Sequence, residues 1–127
     1  MIYLDASAAV KLIRVEAESA ALAAFIQAEI GPFATSRVGV VELRRVARRG
    51  DASVERADVL ARSLEVIEVD KAVEEVAVGI APELRALDAI HLASALISKE
   101  RLRRFVCYDR GLAAAATAAG LPVLAPQ

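Results

Sequence analysis

The chain has 127 residues, a formal net charge of −1, 57% hydrophobic residues and 26% charged residues. That length fits one domain with a real core, and the supply of Leu, Val and Ile excludes a disordered chain. Only six glycines and four prolines are present, so collagen-like and low-complexity classes are excluded too. We therefore predict a single domain over residues 1–127.

The cysteine count and the hydropathy pattern indicate a cytoplasmic protein. The single cysteine, Cys107, cannot form an internal disulfide or a cysteine-based zinc site, so we expect a small buried apolar residue in a reducing compartment. The first residues lack the basic region of a signal peptide. The longest uncharged run, 111–127, contains two glycines and two prolines. We therefore predict no membrane segment.

Short apolar runs alternate with longer helical stretches along the chain. We predict strands at residues 2–4, 33–35, 66–69, 105–108 and 122–124. We predict helices at 7–14, 16–28, 37–49, from 51 or 53 to about 64, from 70 to about 80, at 84–98 and at 111–119. Strands separated by helices imply a parallel sheet with helices on both faces, which is an α/β fold.

Two aspartates directly follow predicted strands: Asp5 follows the first strand, and Asp109 the fourth. In a doubly wound sheet, chemistry collects at the carboxyl ends of the strands, near the point where the strand order reverses. Either aspartate could instead cap the helix that follows it.

Two further acids stand on predicted helices. Asp88 precedes residues 89–98, which carry no formal charge apart from His91 if it is protonated, and such a helix is typically buried. A carboxylate at its start requires an arginine, the helix N-terminus or a divalent cation to neutralise it. Glu42 lies at the rim of the apolar face of the helix at 37–49. The alternatives are a cap or ion pair for Asp88, and a surface salt bridge to Arg45 or Arg49 for Glu42.

Four carboxylates without a set of Cys or His ligands describe a site for a hard cation, and Mg²⁺ or Mn²⁺ fits it best. The cation would relieve the mutual repulsion of the acids. The expected chemistry is phosphodiester hydrolysis, in which the cation activates a water and offsets charge on the phosphate.

The acids lie in four segments: Ile-Tyr-Leu-Asp-Ala-Ser at the start, Thr-Ser-Arg-Val-Gly-Val-Val-Glu at 35–42, Leu-Asp-Ala-Ile-His-Leu-Ala at 87–93, and Phe-Val-Cys-Tyr-Asp-Arg-Gly at 105–111. In this order and in a chain of this length, they resemble the PIN-domain ribonucleases, and more narrowly the VapC toxins of bacterial toxin–antitoxin pairs. The resemblance covers essentially the whole chain.

The resemblance implies a three-layer α/β/α sandwich with a short central parallel sheet, and Mg²⁺- or Mn²⁺-dependent RNA cleavage. It also implies a homodimer and neutralisation by a small cognate antitoxin. The implied metal-binding and catalytic residues are Asp5, Glu42, Asp88 and Asp109, with Ser7 orienting the metal shell. Cys107 is a departure, because the family often has a hydroxyl residue two positions before the last aspartate. That departure puts a hydrogen bond around the fourth acid in question.

Other polar residues have two interpretations each. His91 lies one helical turn after Asp88, so it is either a packed histidine with a satisfied ring or a partner of a carboxylate. Arginines cluster at 44–49 and at 101–110, where they form solvated helix faces or contact an RNA backbone. Arg110, beside Asp109, is the preferred candidate for a phosphate contact.

Three other function classes remain open from the sequence. A PIN-like nuclease of RNA maturation and a catalytically silent PIN-like binding protein share the same motifs. A receiver-type signalling domain is the least favoured, because such a domain needs a lysine after its last strand and none follows residues 122–124.

Overall fold

The structure is a computed structural model and describes all residues from Met1 to Gln127. Its five short strands are β1 (Ile2–Leu4), β2 (Phe33–Ser36), β3 (Glu65–Ile67), β4 (Arg104–Val106) and β5 (Val123–Leu124). They pair in parallel in the order β3-β2-β1-β4-β5, which places β1 at the centre. The strand order reverses between β1 and β4, because the chain first moves outward to β3 and then returns on the other side of β1.

Seven α-helices connect and flank the strands. They are α1 (Ala6–Lys11), α2 (Ser19–Ala28), α3 (Arg37–Arg48), α4 (Val54–Ser63), α5 (Lys71–Val78), α6 (Ala86–Ile97) and α7 (Arg110–Ala118), with a 3₁₀ turn at Lys99–Arg101. None of the helices combines the length and the hydropathy that a membrane-spanning helix requires.

Helices cover both faces of the sheet. Along β1, alternate side chains point to opposite faces, as the pleat of a strand requires. Ile2 packs with Ala8 of α1 and Leu22 of α2 on one face. Tyr3 packs with Leu92 of α6 and Leu112 of α7 on the other. This confirms the predicted three-layer α/β/α sandwich, and it explains why the strands are apolar without polar alternation.

A further apolar cluster joins three helices beside the sheet. It contains Val10 of α1, Leu43 and Val46 of α3, and Ala57 of α4. The apolar face of α3 therefore packs against α1 and α4. Glu42, at the rim of that face, lies near the edge of the sheet where the strands end.

Polar side chains at the ends of strands begin the next helices. Asp5, Asp70 and Asp109 each accept the backbone N–H three residues later through Oδ1, at 2.9, 3.0 and 2.8 Å. Ser36 accepts the N–H of Val38 through Oγ at 3.3 Å. The alternative that Asp5 and Asp109 cap helices is therefore correct for one oxygen of each carboxylate.

The first two helices are shorter than the sequence predicts. The helix predicted at 7–14 runs only to Lys11, and the one predicted at 16–28 begins at Ser19. Ser19 Oγ accepts the N–H of Glu16 at 2.9 Å and donates to the carbonyl of Arg14 at 3.1 Å. These bonds close a turn between the helices, because Ser and similar side chains compete with the backbone for its hydrogen bonds.

Three other boundaries differ for local reasons. The strand predicted at 66–69 is Glu65–Ile67, because its partner β2 ends opposite Ile67 and becomes helix α3. The helix predicted from 84 begins at Ala86, since the N–H of Leu84 is bonded to Ala81 in a preceding turn. The last helix begins at Arg110, one residue early, because Asp109 caps it.

We predict that Gly39→Ala destabilises the protein. Gly39 lies on the inner face of α3, where a Cβ would overlap Thr35 Oγ1 and lie 3.1 Å from His91 Cε1. We expect the free energy of unfolding to fall by about 1–3 kcal/mol, measured by urea titration, because overpacking a buried contact forces neighbours to move.

The matched control is Gly111→Ala in α7, where the nearest atom to an added Cβ is Asp109 Oδ1 at 3.5 Å, an ordinary contact. That variant should be unchanged or up to about 1 kcal/mol more stable, because alanine favours the helix. Equal stabilities of the two variants would contradict the tight approach of α3 at Gly39.

Candidate functional site

The carboxylate of Asp5 is buried at the carboxyl end of the central strand. Asp5 is only 3% exposed. Its Oδ1 accepts from the hydroxyl of Ser7 at 2.6 Å and from the N–H of Ala8 at 2.9 Å. The thiol of Cys107 lies 3.1 Å from Oδ2. No Lys, Arg or His forms an ion pair with it, so this buried carboxylate has hydrogen bonds but no counter-charge.

Burial raises the pKa of Asp5 above its ordinary value, because removing a carboxylate from water disfavours its charged form. The hydrogen bonds from Ser7, Cys107 and Ala8 act in the opposite direction and only partly offset that effect. A divalent cation next to the carboxylate would favour the charged form. The site is therefore electrostatically incomplete with protein groups alone.

Ser7 and Cys107 connect the ends of β1 and β4. Ser7 Oγ donates to Asp5 and accepts the backbone N–H of Tyr108 at 2.9 Å. Cys107 is 1% exposed, and its Sγ also lies 3.4 Å from the backbone carbonyl of Asp109. The expectation of a plain apolar cysteine is incomplete, since the thiol is a polar contact of Asp5. The resemblance put a hydrogen bond around Asp109 in question. The thiol contacts the carboxylate of Asp5 and only the backbone carbonyl of Asp109.

Glu42 projects from α3 at the rim of its buried face, as the sequence predicts. Its side chain is 29% exposed, and Oε1 accepts from His91 Nε2 at 2.8 Å. The alternative of a surface salt bridge is not what the structure shows, because neither Arg45 nor Arg49 pairs with it. Its second oxygen, Oε2, has no hydrogen-bond partner.

Asp88 lies in the first turn of α6, with a side chain that is 19% exposed. Its Oδ2 lies 3.5 Å from Nε of Arg85, whose side chain is 82% exposed. Such an exposed pair contributes little and leaves the carboxylate available. His91 follows one turn later on the same helix face, so Asp88 lies on the side of α6 that faces Glu42.

The four acids share one end of the sheet without closing around one point. Asp5 and Asp109 flank the reversal of strand order, and Glu42 and Asp88 come from helices beside it. Glu42 Oε2, Asp88 Oδ1 and Asp109 Oδ2 have no hydrogen-bond or ion-pair partner. No three Asp, Glu, His or Cys side chains are grouped closely enough to hold an ion as they stand. The oxygen donors fit a hard divalent cation by their chemistry.

A cleft of about 630 Å³ opens at this end of the molecule, and Glu42 is the one of the four acids that lines it. Ser7, Glu42 and Leu87 line it, so it reaches the hydrogen-bond partner of Asp5 and the residue before Asp88. Its other charged lining residues are Lys11, Arg14, Glu16, Arg45 and Arg49. With four basic and two acidic side chains, the cleft has a net positive charge that suits a polyanion.

Arg45 is the only basic residue of the cleft without an acidic partner. Lys11 pairs with Glu18 at 3.0 Å and with Glu16 at 3.7 Å. Arg14 pairs with Glu16 at 3.4 Å, and Arg49 lies 4.0 Å from Asp51. Arg45 is exposed on α3, one turn after Glu42. Its guanidinium is therefore the group most available to a phosphate.

The sequence interpretation preferred Arg110 for that contact, and it missed Lys11 and Arg14. Arg110 is exposed at the start of α7 beside Asp109 and makes no ion pair, but it does not line the cleft. Lys11 and Arg14 stand four and seven residues after Ser7. That helical spacing from Ser7 was the available signal.

Comparison with known proteins identifies the family of this chain. The PIN domain family model matches residues 2–123. The chain belongs to the PIN-domain family as a VapC-type ribonuclease. It is 40% identical to Ribonuclease VapC47 of Mycobacterium tuberculosis, with 99% of this chain and 97% of that protein covered. It is 44% identical to Ribonuclease VapC35 of the same organism, again with 99% and 97% covered.

Solved structures include chains with the same fold. A toxin–antitoxin complex from Klebsiella pneumoniae contains a chain that superposes with a TM-score of 0.77 at 21% identity, covering 100% of this chain and 98% of that one. The predicted PIN fold is thereby confirmed. The assignment as a ribonuclease rests on the family model and on the curated relatives. PIN-domain ribonucleases depend on divalent metals in general, which agrees with the oxygen-only donor set described above.

We predict that Cys107 is unreactive in the native VapC-type fold. Burial raises the pKa of its thiol, and the charge of Asp5 raises it further, so little thiolate forms at pH 8. Reaction with a chromogenic disulfide reagent should be at least about a hundredfold slower in buffer than in urea. The chain has only this cysteine, so the signal is unambiguous. Rapid labelling of the folded protein would contradict the Cys107–Asp5 contact.

Proposed function

We propose that this chain is a Mg²⁺-dependent endoribonuclease, with Mn²⁺ able to substitute, which acts as the toxin of a toxin–antitoxin pair. The observation that carries the proposal is the buried Asp5 carboxylate, which has three hydrogen-bond donors and no counter-charge. A divalent cation supplies the missing charge, and the positive cleft beside it suits an RNA backbone.

In this proposal the four acids Asp5, Glu42, Asp88 and Asp109 hold the cation. When bound, the cation supplies an activated water and offsets charge on the phosphate. Ser7 fixes Oδ1 of Asp5, and Cys107 fixes Oδ2, so the carboxylate keeps one orientation. Asp109 is held by the N–H of Leu112 through Oδ1. No protein nucleophile is needed, because the water supplied with the cation would provide both the oxygen for the 5′-phosphate and the proton for the 3′-hydroxyl.

The basic cleft binds the substrate in this proposal. Arg45 in the cleft and Arg110 outside it, beside Asp109, contact phosphates. The ion pairs of Lys11 and Arg14 with Glu16, and of Lys11 with Glu18, open to a competing polyanion. The chain has three Phe, two Tyr and no Trp, so a broad platform for base stacking is absent. Recognition therefore relies on phosphates and RNA shape.

The partners follow from the relatives. The relatives of this chain carry the name ribonuclease, which supports an RNA substrate. One structural neighbour belongs to a toxin–antitoxin complex, which supports a small cognate antitoxin as partner. The homodimer, the cytoplasmic location and the extent of the single domain over residues 1–127 stay predictions.

We predict that RNA cleavage by the purified, partner-free chain requires Mg²⁺ or Mn²⁺ and stops in EDTA. Asp5→Asn and Asp88→Asn should each lower kcat/KM by at least about a hundredfold, because the cation contributes several kcal/mol to the transition state. Gel-based cleavage of a mixed RNA pool measures this. Asp5→Asn should keep its shape because Asn also caps helices, and Asp88→Asn should keep its shape because Asp88 makes no capping bond and pairs only with the exposed Arg85.

The matched control is Asp70→Asn. Asp70 is also an aspartate that caps a helix after a strand, with Oδ1 at 3.0 Å from the N–H of Val73. This variant should cleave like the wild type. Cleavage that survives EDTA, or that survives Asp5→Asn, would sink the carboxylate mechanism. Cleavage lost equally in Asp70→Asn would show that capping, and not ion binding, is what the substitutions disturb.

We predict that Arg45→Ala raises KM for RNA by about 3–10-fold and leaves kcat nearly unchanged. Removing one phosphate contact should also reduce the salt slope of binding by about one. Arg104→Ala is the matched control, because Arg104 is exposed at the amino end of β4, away from the cleft. Arg110→Ala tests the contact that the sequence suggested. An unchanged KM and salt slope in Arg45→Ala would remove the cleft as the RNA path.

A further inference from the structure

His91 is a buried histidine whose ring bonds at both nitrogens. It is 1% exposed on α6, three residues after Asp88. Nδ1 lies 2.7 Å from the hydroxyl of Tyr3, and Nε2 lies 2.8 Å from Glu42 Oε1. The ring therefore connects the central strand to an acid of the candidate site.

The hydrogen-bond partners of Tyr3 fix the direction of this chain. The N–H of Ser36 donates to the Tyr3 oxygen at 3.2 Å. The nearby hydroxyls of Thr35 and Ser94 donate their own protons to backbone carbonyls, both at 2.7 Å. Nδ1 of His91 is therefore the acceptor for the proton of the Tyr3 hydroxyl, which donates to it at 2.7 Å. Nε2 then carries the ring proton.

That tautomer makes His91 a donor to Glu42. Nε2–H donates to Oε1 and leaves Oε2 with no partner. Glu42 has a long side chain that is 29% exposed, so without this bond it would sample several rotamers. One fixed oxygen turns the carboxylate into a preset ligand on the wall of the cleft.

The ring of His91 occupies a core position where an apolar side chain would need no hydrogen-bond partners. A polar ring in the core is unfavourable unless every polar atom is bonded, and here both nitrogens are. Gly39 on α3 leaves room for it, since a Cβ there would lie 3.1 Å from His91 Cε1. A histidine and a glycine are thus matched across α3 and α6 beneath Glu42.

From this geometry we infer that His91 is a positioning residue of the nuclease, which holds Glu42 Oε1 through Nε2–H so that Oε2 is presented to the cation. The inference rests on the proposed role of Glu42 as a metal ligand. Hydrogen-bond partners that orient metal ligands contribute about 10–100-fold to metal affinity in other proteins.

The tautomer of His91 can be read directly, because the chain has only one histidine. ¹⁵N-histidine labelling of the full chain should show a single ring with the proton on Nε2. Tyr3→Phe removes the donor to Nδ1 while Glu42 still accepts from Nε2, so in that variant we expect the Nδ1 resonance to shift and the proton to stay on Nε2. A wild-type ring with its proton on Nδ1, or on both nitrogens, would overturn the inference.

The functional test compares His91→Leu with His91→Gln. Leu fills the space without a donor, whereas the amide of Gln places an N–H near the position of Nε2. Mn²⁺ titration followed by electron paramagnetic resonance should give about 10–100-fold weaker binding in His91→Leu and recovery of most of the affinity in His91→Gln. Equal losses in both variants, or wild-type affinity in His91→Leu, would contradict the inference.

A double-variant cycle separates positioning from general damage to the core. In the background of Glu42→Gln, His91→Leu should cause no further loss of Mn²⁺ affinity, because the residue acts through Glu42. A loss of the same size in that background would overturn the inference. If His91→Leu does not fold, Tyr3→Phe takes its place in the cycle, with a several-fold loss expected. Wild-type Mn²⁺ affinity in Glu42→Gln alone would instead refute the proposed function of Glu42.

Discussion

A carboxylate buried without a counter-charge at the end of the central strand sets the requirements for the rest of this structure. Asp5 is 3% exposed, and its position follows from the place of β1 between β2 and β4. Burying such a group is unfavourable unless its oxygens are bonded. Ser7, Ala8 and Cys107 satisfy both oxygens, and these contacts connect α1 to the end of β4. The same contacts leave the negative charge of Asp5 without a positive partner, and this is the reason for proposing a cation at this end of the sheet.

The second polar feature of the core supports the other side of the site. Tyr3 lies on β1 two residues before Asp5. Because neighbouring side chains of a strand point to opposite faces of the sheet, Tyr3 points away from the face of Leu4 and meets His91 of α6. The ring passes the interaction to Glu42 on α3. One central strand therefore anchors two acids, the first by direct capping and the second through a chain of hydrogen bonds. The contact between His91 and Glu42 also requires the close approach of α3 at Gly39, where a Cβ would lie 3.1 Å from His91 Cε1.

The fold and the acids could be predicted because they follow from local rules, whereas their partners depend on long-range packing. The alternation of strands and helices, and an aspartate after a strand, are visible in any short window of sequence. The contact of Cys107 with Asp5 joins residues 102 positions apart, and that of His91 with Glu42 joins residues 49 apart. Composition suggested an apolar cysteine, and only the pairing of β1 with β4 brings its thiol to the carboxylate. Helix ends were misplaced where a side chain such as Ser19 captured a backbone group.

The four acids differ in how firmly the fold holds them, and this difference bears on how a cation site would form. Asp5 and Asp109 follow adjacent strands and cap the helices α1 and α7, so hydrogen bonds to the backbone fix their carboxylates. Glu42 and Asp88 are carried by helices and keep one oxygen free, with only His91 and an exposed Arg85 as partners. A cation bound by all four would connect the pair at the strand ends to the pair carried on helices. That arrangement exists only in the folded chain. The free energy of cation binding at this site would therefore add to the free energy of unfolding.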